Sequence, residues 1–282
     1  MNELKTLILQ HLNNAGSSPW FPGLGQKLAK EKWITLEKQT GVNKDNYSTE
    51  TCLIGKKIAD LYPLTHVLQN QIPVFPVPLE LALNDEKKNI RSYGLDEFRS
   101  LPILECIENA FEWLKIENSI IDTIKALVRN IHLLKLVDNE YDVSYSLPNI
   151  PFSIFLSIPS QRINNDSLRV AEAILHETMH LQLTLIEEEM PLVNQSNQKY
   201  FSPWKNEYRN ARGIIHALYV FRTIREFIKK ILMTDINQSN LKFLIKRKEE
   251  IESQLISLSD FDKSEALTKQ GSLLTMALLR LT

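Results

Sequence analysis

Residues 169–187 read RVAEAILHETMHLQLTLIE, and this stretch predicts both the fold and the chemistry of the chain. It predicts a helix at about 166–189, with Asp166 or Ser167 as its cap. Apolar side chains occupy nearly every side of this helix, so we expect it to be buried. His176 and His180 lie four residues apart and therefore project from one face of the helix, where two imidazoles can bind one metal ion. Burying them beside Glu177 would be costly without a partner, and a metal ion is such a partner.

A catalytic metal ion normally has a third protein ligand, and the same helix offers an acidic run. Glu187, Glu188 and Glu189 follow His180 by seven to nine residues. On a helix this separation is about 10 Å or more, which is too far for direct ligation next to the histidine pair. We interpret the run as a solvated helix end.

A second helix, predicted from about Asn206 to Met233, offers a better third ligand. Arg209, Arg212 and His216 fall at positions i, i+3 and i+7, which form one narrow stripe, and Gly213 beside it would allow another helix to approach closely. Taken singly, each arginine is explained by a surface salt bridge and the histidine by a core hydrogen bond. Taken together, they favour a functional stripe, because buried charges require partners. His216 would then be the third metal ligand, and one or both arginines would bind a carboxylate near the metal.

The rest of the chain predicts a mainly α fold with a small β-sheet, in which the buried HExxH helix packs against the second metal-site helix. Further helices are predicted at 1–14, 24–40, 49–62, 96–116, 117–136, 238–258 and 262–281. Alternation at 141–146 and an aromatic, β-branched run at 152–158 predict two strands. We divide the chain into a mostly helical region at 1–125 and a metal-site region at 126–282, with one continuous domain as the alternative.

Composition excludes several classes of function. A net charge of −1 provides no general field that would attract nucleic acid or acidic lipid. Cys52 and Cys106 are the only cysteines, so a disulfide scaffold and a four-cysteine zinc site are both excluded. No apolar run is long enough to span a membrane, and the first residues lack the features of a signal peptide. We therefore expect a cytoplasmic protein that binds neither nucleic acid nor membrane.

Three blocks of the sequence together resemble a known enzyme family. They are YDVSYSLPNIPFSIFLSIP at 141–159, RVAEAILHETMHLQLTLIE at 169–187 and SPWKNEYRNARGIIHALYVF at 202–221. In this order they are similar to the HExxH-motif family of peptide-modifying enzymes, which are associated with the biosynthesis of ribosomally made, post-translationally modified peptides. The resemblance covers about residues 129 to 228. HExxH alone is shared with many zinc peptidases, so the third block discriminates most strongly.

The resemblance implies an iron(II)- and 2-oxoglutarate-dependent dioxygenase that hydroxylates a side-chain β-carbon of a precursor peptide. Iron held by His176, His180 and His216 would keep positions open for 2-oxoglutarate and O2. Arg209 or Arg212 would then clamp the distal carboxylate of 2-oxoglutarate. Glu177 would not be needed as a hydrolytic base and could instead orient a ligand of the metal.

Two alternatives remain open at this point. In a zinc metallopeptidase of the HExxH type, Glu177 would be the general base that activates metal-bound water, and the strand at 152–158 would be the substrate-binding edge. In a non-catalytic peptide-binding or scaffold protein, the metal would be structural. Paired arginines have no obvious role in a peptidase, and three protein ligands leave an open coordination position that a structural site would not need.

Overall fold

The computed structural model describes residues 3–16, 19–21, 23–40, 66–67, 72–77, 90–99, 103–136, 143–147, 150–158 and 165–280. The helices are α1 (Glu3–Asn14), α2 (Leu24–Thr40), α3 (Leu95–Arg99), α4 (Ile103–Leu114), α5 (Asn118–Leu127), α6 (Asp166–Glu189), α7 (Ala211–Ile231), α8 (Gln238–Ile256) and α9 (Lys269–Leu279), with a 3-10 turn at Phe261–Lys263. The strands are β1 (His66–Val67), β2 (Pro73–Pro76), β3 (Ile90–Arg91), β4 (Asn130–Leu136), β5 (Ser144–Leu147), β6 (Ile150–Ser157), β7 (Lys199–Ser202) and β8 (Glu207–Asn210). The predicted mainly α fold with a small β-sheet is confirmed.

The chain forms two compact units, which we call the terminal unit and the central unit. The terminal unit contains the described residues of 1–28 and 182–282, and the central unit contains those of 29–181. The boundary that the sequence suggested after residue 125 falls inside the central unit.

The central unit is built on a mixed sheet with the strand order β1-β2-β4-β6-β5, and β3 also pairs with β4. Strands β2, β4 and β6 run parallel, whereas β5 pairs antiparallel with β6 at the end of this order. Every residue of β6 is buried, which is typical of a central strand covered on both faces. One core cluster of this unit consists of Val77, Ile90, Leu134, Ile150 and Phe155.

The structure corrects the helices predicted at 117–136 and 262–281 and confirms the predicted strand pair. The α-helix expected from 262 begins only at Lys269, after the 3-10 turn at Phe261–Lys263. The helix expected at 117–136 ends at Leu127, and residues 130–136 form β4 instead. The sequence NIHLLKL is an unbroken apolar run, and it lies in register with β2 on one side and β6 on the other. The strands expected at 141–146 and 152–158 correspond to β5 and β6. The helix expected at 49–62 lies outside the described residues.

The terminal unit is a group of helices with a small hairpin. Helix α1 packs against α9, and α7 packs against both α8 and α9. The hairpin of β7 and β8 leads directly into α7, so residues 207–210 are a strand and not the first turn of a helix, as the sequence had predicted. In the described part of the chain, no helix combines the length and the apolarity that a membrane crossing requires.

A buried arginine joins the two ends of the terminal unit. Arg222 of α7 is 1% exposed, and its guanidinium donates to the carbonyls of Gly16, Leu278 and Arg280. The carboxylate of Glu226 lies 3.1 Å from its Nε and supplies the opposite charge. A side chain at position 16 would collide with the backbone carbonyl of Ala277, so only glycine allows this close approach.

Candidate metal centre

Helix α6 carries the HExxH motif and is largely buried. It extends over Asp166–Glu189, as the sequence predicted, and no residue from 166 to 187 is exposed. Leu175 and Met179, which flank the histidines on the helix, are completely buried. The predicted burial of this helix is therefore confirmed, and the histidine pair is held on a rigid element.

The two histidines of the motif converge on one point. Nε2 of His180 lies 3.1 Å from Nε2 of His176, and the ring centroids are 4.8 Å apart. A hydrogen bond at this distance needs a proton on one nitrogen only, whereas a shared metal ion needs a lone pair on both. The helical spacing alone brings the two nitrogens together, so no change of backbone is needed for either arrangement.

The two nitrogens are close enough to bind one divalent metal ion together. Imidazole is a common ligand of both iron(II) and zinc, so the donor set of His176 and His180 is chemically suitable for either ion.

Glu177 is buried against the sheet. Its side chain is 2% exposed, and Oε1 accepts a hydrogen bond of 2.7 Å from the hydroxyl of Ser144 on β5. The same Oε1 lies 3.9 Å from Nε2 of His176. The carboxylate is thus next to the histidine pair and has a defined orientation. No pattern in the sequence had pointed to Ser144, because the contact depends on how β5 is placed in the sheet.

Glu187 forms a second polar cluster, in the terminal unit. Its Oε2 is 3.0 Å from Nε2 of His216 and accepts a 2.8 Å hydrogen bond from Nε of Arg212. Burial opposes ionisation of this carboxyl, but the hydrogen bond and charge of His216, together with Arg212, hold the pKa of Glu187 below its ordinary value. The interpretation of Glu187 as part of a solvated helix end is therefore wrong.

The predicted stripe of Arg209, Arg212 and His216 is only partly present. Helix α7 begins at Ala211, where the side chain of Asn210 caps the N–H of Gly213, so Arg209 belongs to β8. The two residues that remain on the helix, Arg212 and His216, are one turn apart and share the carboxylate described above. A side chain at Gly213 would crowd that of Arg209, so the glycine makes room for this arginine and not for an approaching helix.

The structure therefore gathers the predicted site residues into two groups. His176, Glu177 and His180 lie together in the central unit, and Arg212 and His216 meet Glu187 in the terminal unit. Arg209 pairs with Glu207 at 3.6 Å and joins neither group. Within the described residues, no three His, Cys, Asp or Glu side chains are arranged to hold a metal ion, so His216 as third ligand stays a prediction. The sequence did contain a signal for the contacts of Glu187. Arg212 and His216 lie one helical turn apart, and such a pair favours binding of a carboxylate.

Comparison with models of protein families and with curated proteins finds no match to this chain.

Proposed function

We propose that this chain is an iron(II)- and 2-oxoglutarate-dependent dioxygenase that hydroxylates a side-chain β-carbon of a ribosomally made precursor peptide. The observation that carries the proposal is the convergence of His176 and His180 at 3.1 Å on a buried helix. Two imidazoles on one face of a helix can hold an iron(II) ion that keeps further positions open. The resemblance of the blocks at 141–221 to the HExxH-motif family supplies the reaction class.

The residues of the chain have distinct parts in this proposal. His176 and His180 would hold iron(II), with His216 as the third ligand. When bound, iron with 2-oxoglutarate and O2 supplies the oxidising power for C–H hydroxylation. The side chain of His176 is 24% exposed, so cosubstrate and substrate could reach the histidine pair from solvent. Glu177 would orient the site from beside His176 without exchanging a proton with the substrate.

The arginines would bind the distal carboxylate of 2-oxoglutarate. The side chain of Arg209 is 41% exposed, and its ion pair with Glu207 is of the surface type that contributes little energy. Arg212 is tied to Glu187 by a close hydrogen bond. Arg209 is therefore the more available cation, and its guanidinium has the planar geometry that binds carboxylates through two hydrogen bonds.

The deciding experiment measures cosubstrate turnover. Protein loaded anaerobically with iron(II) and 2-oxoglutarate should form succinate when air is admitted, and mass spectrometry should show that a candidate peptide gains one oxygen atom.

His176→Ala or His180→Ala should reduce succinate formation by more than about 100-fold, since loss of a ligand costs more than loss of a residue that supports one. Thr184→Ala, on the same helix, is the matched control and should retain activity. Arg209→Ala should raise the 2-oxoglutarate concentration required.

One observation also favours a second candidate, a zinc metallopeptidase. The carboxylate of Glu177 lies only 3.9 Å from Nε2 of His176, close enough to serve as the base for a metal-bound water. Peptide cleavage supported by zinc in the absence of 2-oxoglutarate would overturn the oxygenase proposal. Glu177→Gln separates the two candidates, because a peptidase would lose its general base whereas an oxygenase would keep part of its turnover.

A further inference from the structure

We infer that Ser144 is a positioning residue of the metal centre, acting through Glu177. This inference rests on the proposed function only in that it requires a metal ion at His176 and His180. Its basis is a contact between the sheet and the motif helix that lies within the central unit, the 2.7 Å hydrogen bond from the Ser144 hydroxyl to Oε1 of Glu177.

The contact helps to orient a buried carboxylate. Glu177 is 2% exposed, so water cannot compensate the oxygen that Ser144 now satisfies. Oε1 is the atom that accepts from Ser144, and it is also the atom that lies 3.9 Å from Nε2 of His176. Removing the hydroxyl would therefore take a hydrogen bond from the carboxylate oxygen that lies near His176.

The sheet holds Ser144 in place by several independent contacts. Ser144 is in register with Leu156 of β6, and directly before it Val143 exchanges hydrogen bonds with Ser157. Directly after it, Tyr145 stacks on Phe155 with ring centroids 4.8 Å apart. A hydroxyl carried on a strand fixed at both sides is pre-organised, as the supporting group of a metal site must be.

A second serine of β5, Ser146, provides a control for the replacement of Ser144. Side chains alternate along a strand, so Ser146 lies on the same face of β5 as Ser144, one pleat further along. Both are half-buried serines, but the hydrogen bond to Glu177 comes from Ser144. Ser146→Ala therefore removes a comparable hydroxyl without touching the carboxylate.

The test measures metal binding in the full chain, without 2-oxoglutarate or peptide. Cobalt(II) is the probe, because its visible spectrum reports the geometry of its ligands while a competing chelator reports its affinity. We expect Ser144→Ala to weaken cobalt binding by about 10- to 100-fold and to alter the spectrum, the range typical for groups that support a metal ligand. Ser144→Thr should restore both properties, and Ser146→Ala should leave both unchanged.

A double-mutant cycle separates positioning from a general loss of structure. If Ser144 acts through Glu177, adding Ser144→Ala to Glu177→Ala should produce no further loss of affinity. Additive losses, or a Ser144→Ala protein with the affinity and spectrum of the wild type, would overturn this inference alone. A wild-type protein that binds no cobalt would overturn the proposed function together with it. Circular dichroism of each variant verifies that the fold is retained.

Discussion

At the scale of the single residue, His132 connects protonation to the stability of the fold. It lies 3% exposed on β4, and its ring stacks between those of Phe75 at 5.6 Å and Phe155 at 4.9 Å. Burial lowers the pKa of His132 to about 4, although a hydrogen bond with the backbone of Pro76 opposes the shift. His132 is therefore a neutral member of the core of the central unit at ordinary pH.

We expect the free energy of unfolding to decrease as the pH falls from 6.5, the ordinary pKa of histidine, to about 4. In this window the unfolded chain binds a proton at His132 that the folded chain does not, so folding loses stability on the order of 3 kcal/mol. His11, whose pKa burial lowers to about 3, adds to the same trend. Urea unfolding over this pH range measures the decrease in the free energy of unfolding.

The replacement His132→Leu isolates the contribution of this one group. Leucine is close to histidine in volume and cannot be protonated, so the variant should lose less stability than the wild type between those pH values. Carboxyl groups that titrate in the same range are present in both proteins and cancel in the comparison. Parallel pH profiles for the two proteins would contradict the assignment.

At the scale of the element, sequence patterns predicted the helices whose bounds are determined by interactions between neighbouring residues. The helices at 24–40 and 166–189 have the bounds that periodicity and capping residues indicated. The region 130–136 was mistaken for helix because a short apolar run has no diagnostic period. Its strand conformation depends on pairing with β2 and β6, which no local window contains.

The same distinction applies to the candidate site. His176 and His180 were predictable because helical spacing alone brings them together. Ser144 was not, because its contact with Glu177 depends on the sheet. Arg209 was placed on the wrong element because the helix start was set too early, although an asparagine is a common N-cap and Asn210 marks the true start.

The stability of helix α7 should depend measurably on its N-cap residue, Asn210. The Asn210 side chain accepts the N–H of Gly213 at 2.8 Å, which satisfies one of the free donors of the first turn. Asn210→Ala should reduce the free energy of unfolding by about 1 kcal/mol, and Asn210→Gly by a few tenths. Thermal or urea unfolding tests both, and equal stability of all three proteins would contradict the prediction. Asn237, which caps α8 in the same way, provides a second site for the same comparison.

At the scale of the whole molecule, Arg222 ties together distant segments of the terminal unit through buried hydrogen bonds. Arg222→Met would leave the carbonyls of Gly16 and Arg280 without their donor and Glu226 with less of its opposite charge. Breaking a buried ion pair from one side costs about 3–5 kcal/mol. Lys246→Met is the control, because this lysine is 80% exposed and its pair with Glu250 should contribute less than about 1 kcal/mol.

Chemical denaturation of the two variants provides the comparison. The Arg222→Met protein should unfold at a clearly lower urea concentration than the Lys246→Met protein. Similar midpoints would mean that the hydrogen bonds of Arg222 to the backbone do not stabilise the terminal unit.

The packing of α1 on α9 also has a consequence for biosynthesis. A ribosome that adds about 5–20 residues per second needs roughly 10 to 50 s to proceed from the first of these helices to the last. During that interval the apolar face of the nascent α1, with Leu4, Ile8 and Leu12, lacks the helix that later covers it. The terminal unit therefore completes its folding only after α9 has been translated, and until then α1 lacks this packing partner.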